Sequence, residues 1–150
     1  MGADVLNDEA PRNWTIDTLT DALERDDLAE EIGVRRIEGT EPLLVATMRT
    51  QGDLPIFVSL AGQQIVVSTL LWPVDEQQDA PAFNAFLLKA QKLVPLSNFA
   101  ITNVEGRDYY ELIGELSAES NLQMILLELR VLADNAISAA SELRDAFAAS

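Results

Sequence analysis

The stretch LPIFVSLAGQQIVVSTLLWPV, residues 54–74, holds no charged side chain, in a chain that is 23% charged. It is about as long as the roughly 20 apolar residues that cross a bilayer as a helix. Such a helix would carry Pro55 and Pro73 and would put Gly62, Gln63 and Gln64 at the bilayer centre. Two glutamines there are costly, and only 13 of the 21 residues are apolar. A GQQ sequence instead suits the tip of a hairpin, and the β-branched runs on either side suit strands. The stretch therefore reads as two adjacent strands rather than a membrane span. Apolar side chains on both of their faces predict central strands covered on both sides, partly by another subunit.

Working outward, LLVATMRT at residues 43–50 alternates like a strand and joins the hairpin through QGD. A short strand at residues 34–38 precedes it, with a turn at EGTEP. Before that, a helix is predicted from TIDTLTDAL onward. Thr15 or Thr18 caps it, Ile16, Leu19, Leu23, Leu28 and Ile32 give its apolar face, and Gly33 ends it. After the hairpin, Asp79 and Pro81 open a second helix, PAFNAFLLKAQKLV, which Pro95 stops. Two more strands follow, NFAITNV and YYELIGELS, joined by EGRD. Tyr110, Leu112 and Leu116 take one face of the latter, and Tyr109, Glu111 and Glu115 the other. Ser120 caps a long last helix that runs to about Phe147. The expected fold class is α+β: an antiparallel sheet with flanking helices in the order α-ββββ-α-ββ-α. It forms a single domain over residues 14–150, after a mobile acidic lead-in at residues 1–13.

The composition excludes much chemistry. The chain has no histidine and no cysteine. Ser-His-Asp and Cys-His catalysis, histidine bases and the usual zinc sites are therefore absent. No phosphate-cradling glycine motif is present. The only lysines, Lys89 and Lys92, read as an exposed pair on the second helix rather than a Schiff-base site. The acid pairs Asp26/Glu30 and Asp27/Glu31 read as a solvated helix face, and Glu111/Glu115 as the outward side of a hairpin. No catalytic, cofactor-binding or metal-binding residue is assigned, no cofactor is expected, and an enzyme is not expected.

The net charge is −15, concentrated at the two ends. Residues 1–33 carry ten acids against two arginines, and residues 108–150 carry eight against two. Such a molecule is repelled by nucleic acid and anionic membrane surfaces, and attracts basic partners. The opening MGADVLNDEA lacks the basic and apolar regions of a signal peptide, so a cytoplasmic location is expected.

In the last helix, Leu122, Ile125, Leu129, Leu132, Ala136, Ala139 and Leu143 are spaced 3-4-3-4-3-4, a heptad seam. Met124, Leu126, Leu127 and Val131 add a second apolar set. One stripe can pack on the sheet while the surplus seeks another partner. Leu122, Ile125, Leu129, Leu132, Ala136 and Leu143 are therefore the candidate interaction surface, for a homodimer or a partner helix.

Several segments together, LLVATMRTQGDLPIFVSLAGQQIVVSTLLWP, PLSNFAI, YYELIGELSAES and LADNAISAA, resemble a bacterial family of uncharacterised proteins typified by YjfI, encoded beside relatives of phage shock protein A. The match spans about residues 34–140. That family carries no established activity or functional residues; its neighbourhood implies a role beside membrane-remodelling proteins of the phage-shock type. The element order also looks like the type III secretion chaperone fold and its YbjN-like relatives, small acidic proteins that bind segments of other proteins, with the strand at residues 34–38 as a departure. The leading expectation is thus a non-enzymatic, acidic, homodimeric adaptor or chaperone-like protein. Its partner would be basic or helical, of the phage-shock-protein-A kind, with neither nucleic acid binding nor membrane insertion. The rival readings are a structural domain retained for a larger complex, and a small-molecule sensor or carboxylate-based enzyme. The last would use a pocket between sheet and second helix near Trp72, Phe83, Phe86 and Tyr110.

Overall fold

The computed structural model describes residues 13–149; all but the last residue of the lead-in therefore lies outside it. Helix α1 spans Ile16–Leu23. Its start is a reciprocal cap: the Thr18 N–H donates to the Thr15 hydroxyl at 3.1 Å, and the Thr15 N–H donates to the Thr18 hydroxyl at 2.9 Å. The helix is shorter than its apolar spacing predicts. After a single 3₁₀ turn at Asp26–Leu28, strand β1 takes Ile32–Ile37. Ile32 and Gly33, expected to end a helix, begin a strand instead. The reason lies elsewhere in the chain. The Arg49 guanidinium crosses over Gly33, where an added Cβ would meet its Nη2 at 2.7 Å. Its Nη1 donates to the Ala29 carbonyl at 2.5 Å, while its backbone N–H donates to the Glu31 carbonyl. Glycine here makes room for a side chain rather than capping a helix.

Strands β2 (Leu43–Met48), β3 (Leu54–Ala61) and β4 (Gln64–Pro73) follow, so the charge-free stretch is the expected hairpin. Gly62 takes φ +65° at its tip, a conformation that glycine adopts without strain. Helix α2 (Ala80–Ala90) continues as a 3₁₀ turn, Gln91–Leu93. Asp79 precedes α2 as expected, but it sits at φ +51° and its side chain makes no cap bond. Strands β5 (Asn98–Val104) and β6 (Arg107–Ser117) form the second hairpin. Helix α3 (Leu122–Ser138) passes through a π turn at Ala139–Leu143 into α4 (Arg144–Ala149). Its cap is Asn121, not Ser120: the Met124 N–H donates to the Asn121 side-chain oxygen at 2.9 Å.

The six strands form one antiparallel sheet in the order β1-β2-β3-β4-β6-β5. Alternation gives the sheet two distinct faces. The inner face carries Ile32, Leu44, Ala46, Met48, Ile56, Val58, Ile65, Val67, Tyr110 and Leu112, all buried. Leu19 and Leu23 of α1, Phe83 and Leu87 of α2, and Ile125, Leu129, Leu132 and Ala136 of α3 pack into that same core. All these helices therefore lie on one side. The outer face, with Leu43, Val45, Phe57, Val66, Leu70 and Ile113, contributes nothing to this core and is covered by no described element. Within one chain the described helices cover one face only.

Candidate protein-binding site

The heptad seam of the last helix faces inward. Ile125, Leu129 and Leu132 are fully buried, Ala136 and Ala139 nearly so, and Leu122 and Leu143 are half-buried against the core. From Ile125 to Ala139 the seam is the contact between helix and sheet, and only its ends, Leu122 and Leu143, border open clefts. A 3-4 spacing fits a sheet as well as a second helix, and here the sheet takes it. The exposed apolar residues of α3 are Met124, Leu127 and Ile137, outside the seam.

Exposed large apolar residues gather elsewhere. Of the eight among the described residues, five lie between residues 88 and 104: Leu88, Leu93, Leu96, Ile101 and Val104, with Leu88 69% and Leu93 83% exposed. Two clefts that share Phe99 run beside three of them, Leu88, Leu93 and Ile101, whereas Val104, in step with Asn98 opposite Ile113, turns to the outer face of the sheet. One, about 200 Å³, lies between α2 and β5 and is lined by Asn84, Leu87, Leu88, Phe99, Ile101 and Tyr110 among others. The other, about 290 Å³, is bordered by Leu93, Val94, Pro95, Phe99, Ser138 and Leu143 among others. Phe99 belongs to both.

The chain holds this ridge in place with polar groups. Asn135 of α3 donates from Nδ2 to the Pro95 carbonyl at 2.8 Å and meets the Ser97 hydroxyl at 3.0 Å. The pinned loop turns through Leu96 at φ +63°, a left-handed conformation that costs a leucine about 1 kcal/mol or more and leaves its side chain exposed. β5 is an edge strand with no charged residue. Such an edge invites another strand unless guarded. Gln91 guards part of it: its side-chain oxygen accepts from the Phe99 N–H at 2.5 Å, and its amide donates to the Phe99 carbonyl at 3.4 Å. The opposite edge, β1, carries Arg35 and Arg36, and Arg36 pairs with Asp17 and Glu38.

The aromatic group behind the small-molecule reading is packed. Trp72, Phe83, Tyr110, Phe86 and Phe147 stand with ring centroids 5.0–6.2 Å apart, and the Arg144 guanidinium lies 4.1 Å over the Trp72 ring. The Tyr110 hydroxyl, raised in pKa by burial, donates to Asn84 Oδ1 at 2.6 Å. The adjacent cleft of about 200 Å³ is smaller than the 300–1,000 Å³ usual for small-molecule sites. A larger cleft of about 700 Å³ is lined by Arg25, Asp27, Asn121, Gln123 and Arg130 among others, but its charges are already matched. Arg25 binds Asp27, and Arg130 binds Glu31 through two bonds of 2.7 and 2.8 Å. Each arginine holds its carboxyl below the usual range. The i, i+4 acid pairs expected on a first helix thus fall past the end of α1, with Asp27 and Glu31 each bound to an arginine.

Two acids are held unusually. Glu111 lies half-buried on the outer face, its carboxyl raised by burial and partly offset by a hydrogen bond from Ser68. Glu128 is 5% exposed, packs against Gly114, and has one oxygen without a hydrogen-bond partner. Burial raises its carboxyl pKa. Among the described residues no cluster of three or more metal-binding side chains occurs, and no helix is long and apolar enough to cross a membrane.

The sequence reading missed the ridge. Leu88 adjoins the core residue Leu87, and Leu93 and Leu96 lie beyond the regular helix, so none stands out by period. The available signal was that residues 80–104 carry two lysines and no acid, in a chain that is otherwise strongly acidic.

The class so defined is an α+β protein with one six-stranded antiparallel sheet, helices on one face, and an apolar ridge at the β5 edge. Comparison with known proteins places it further: the chain belongs to the family described as uncharacterized protein conserved in bacteria (DUF2170), whose model matches residues 13–147. It is 38% identical over 104 residues to the uncharacterized protein YjfI of Escherichia coli K12, covering 69% of this chain and 78% of that one. The O157:H7 form of YjfI matches equally. Among solved structures, YbjN from E. coli superposes with a TM-score of 0.62 at 12% identity, over 87% of this chain and 94% of that one. An uncharacterized protein from Methanothermobacter thermautotrophicus gives 0.59 at 9%, over 86% and 95%. At these identities the two structures speak for the fold alone.

Proposed function

We propose that the protein is a non-enzymatic binding protein, adaptor- or chaperone-like, that docks an apolar segment of another protein on the ridge between α2 and β5. The observation that carries this reading is the gathering of Leu88, Leu93 and Ile101 around two clefts that share Phe99, with Leu96 exposed on the loop beside them. A patch of this kind costs solubility unless something uses it. The −15 charge acts at longer range, raising the encounter rate with a basic partner, while the ridge takes that partner's apolar side chains. Lys89 and Lys92 flank the ridge, so the docked stretch itself is uncharged or acidic, with the partner's basic residues lying outside it. The resemblance to a family encoded beside phage-shock-protein-A relatives makes a basic, helical protein of that type the first partner to try.

The test is a binding titration with such a partner, using the intact chain and Leu88→Asp and Leu93→Asp variants. Both residues are largely exposed, so the variants fold. Affinity is expected to fall at least about tenfold in each, the scale of losing one interface anchor. Association should also slow at high salt. Equal affinity for variants and parent would sink the reading.

A further inference from the structure

The outer face of the sheet is a second apolar surface, separate from the ridge, and its chemistry selects a different partner. Leu43, Val45, Phe57, Val66, Leu70 and Ile113 all point away from the helices, and none belongs to the core. Val45 is only 3% exposed, although it does not belong to the core cluster.

We propose that this face closes against the same face of a second copy of the chain, forming a twofold homodimer in which two sheets pack face to face. Charge is the first argument. The charged residues that the strands turn outward are Arg35, Arg107, Glu111 and Glu115, with Arg107 bound in turn by Asp75 and Glu76, which leaves this face only weakly negative in a chain of net −15. A basic partner gains little from so weakly charged a face, whereas two equally acidic copies need one in order to meet.

Register is the second argument. Val45, Phe57, Ser68 and Ile113 are paired in sequence across β2, β3, β4 and β6 and form one row; Arg35 and Asn98 extend it at either end. A twofold axis lying parallel to the strands, between β3 and β4, sets each row over itself reversed. Phe57 then covers Ser68 of the second copy, and Val45 covers Ile113. In the next row, Ser59 covers Val66, since those two are also paired. Phe57 and Val66 thus fall over serines, while Val45 meets Ile113 in a wholly apolar contact. This differs from a dimer through the last helix, whose seam is buried within one chain.

Area is the third. Six strands about 4.8 Å apart and about seven residues long give a face of roughly 600 Å² in projection. Side chains standing above it raise the accessible area toward the roughly 800 Å² that each partner buries in a standard interface.

Light scattering on the full chain at micromolar concentration tests this. The expected mass is twice 16.4 kDa. Phe57→Glu and Ile113→Glu, checked for an unchanged circular dichroism spectrum, should raise the dissociation constant by roughly a hundredfold or more, as a buried unpaired charge does. Leu88→Asp should remain dimeric. Should the glutamate variants fail to fold, the cysteine-free sequence allows a milder probe: Phe57→Cys and Ser68→Cys chains, mixed and treated with a short bis-maleimide, should cross-link to each other in preference to themselves. Any of three results overturns the proposal: a single-chain mass for the parent, an undiminished dimer in the folded glutamate variants, or a random cross-linking pattern. Uptake of an apolar dye only after removal of residues 1–12 would also overturn it, by showing that the chain's own first residues occupy the face.

Discussion

Gly114→Ala places a methyl group where the Glu128 side chain lies. The new Cβ would overlap Glu128 Oε2 and stand 3.0 Å from its Cδ and 3.1 Å from Val67 Cγ2. Carbon contacts this short are strongly repulsive, and overpacking of this sort costs about 1–3 kcal/mol. Replacing a strand glycine returns about 0.5–1 kcal/mol through the unfolded chain. The net cost is therefore about 0–2.5 kcal/mol. In a Glu128→Ala background the carboxylate is gone and only the 3.1 Å contact with Val67 Cγ2 remains, so the same Gly114→Ala change should cost less or become neutral. The coupling between the two sites is then about 1–2 kcal/mol. Urea denaturation of the parent, both single variants and the double variant, followed by circular dichroism at constant pH, yields this number directly. If Gly114→Ala costs the same in both backgrounds, within about 0.5 kcal/mol, the glycine is not there to make room for the carboxylate and the reasoning fails.

Glu128 also predicts a pH effect. Its carboxyl pKa is raised by burial, so the folded state holds the proton more tightly than the unfolded state. The stability of the parent should then fall as pH climbs from the ordinary glutamate value of about 4.3 through the raised one. Subtracting Glu128→Gln data isolates this: the variant's advantage in urea midpoint should widen from about pH 4 to 7, and a constant difference would contradict it. Asn135→Ala removes the bonds to Pro95 and Ser97 and should cost about 1–3 kcal/mol, with faster amide exchange confined to residues 94–97. Gln91→Leu strips the guard from the Phe99 backbone and should increase concentration-dependent aggregation measured by turbidity. Phe83→Ala should destabilise by about 3–5 kcal/mol, because that fully buried ring touches Trp72, Phe86, Tyr110 and Phe147.

Much of the fold was legible because its signals are local. The hairpin of β3 and β4 follows from β-branched residues around a Gly-Gln-Gln tip, and the second hairpin from its alternation. The end of α1 was not legible, since the fate of Gly33 is decided by Arg49, sixteen residues on and brought alongside only by pairing of β1 with β2. The heptad seam was correctly seen as a stripe, but its period does not say whether sheet or helix covers it. The apolar outer strand faces were read from sequence; that every helix would choose the other side depends on how the connections close. The apolar ridge arises where an irregular loop is pinned by Asn135, and no repeat announces it.

That every helix lies on one side of the sheet has a consequence for how the chain is made. Leu129, Leu132 and Ala136 complete the inner layer, and they follow every strand in the sequence. Until residues 122–138 have left the ribosome, the hairpins can already pair, yet the sheet is bare on both sides over its middle. A nascent chain at that point exposes two greasy surfaces. Elongation pauses in this window should provoke aggregation far more than pauses earlier in the message, and chaperone occupancy on translating ribosomes should rise and fall with it.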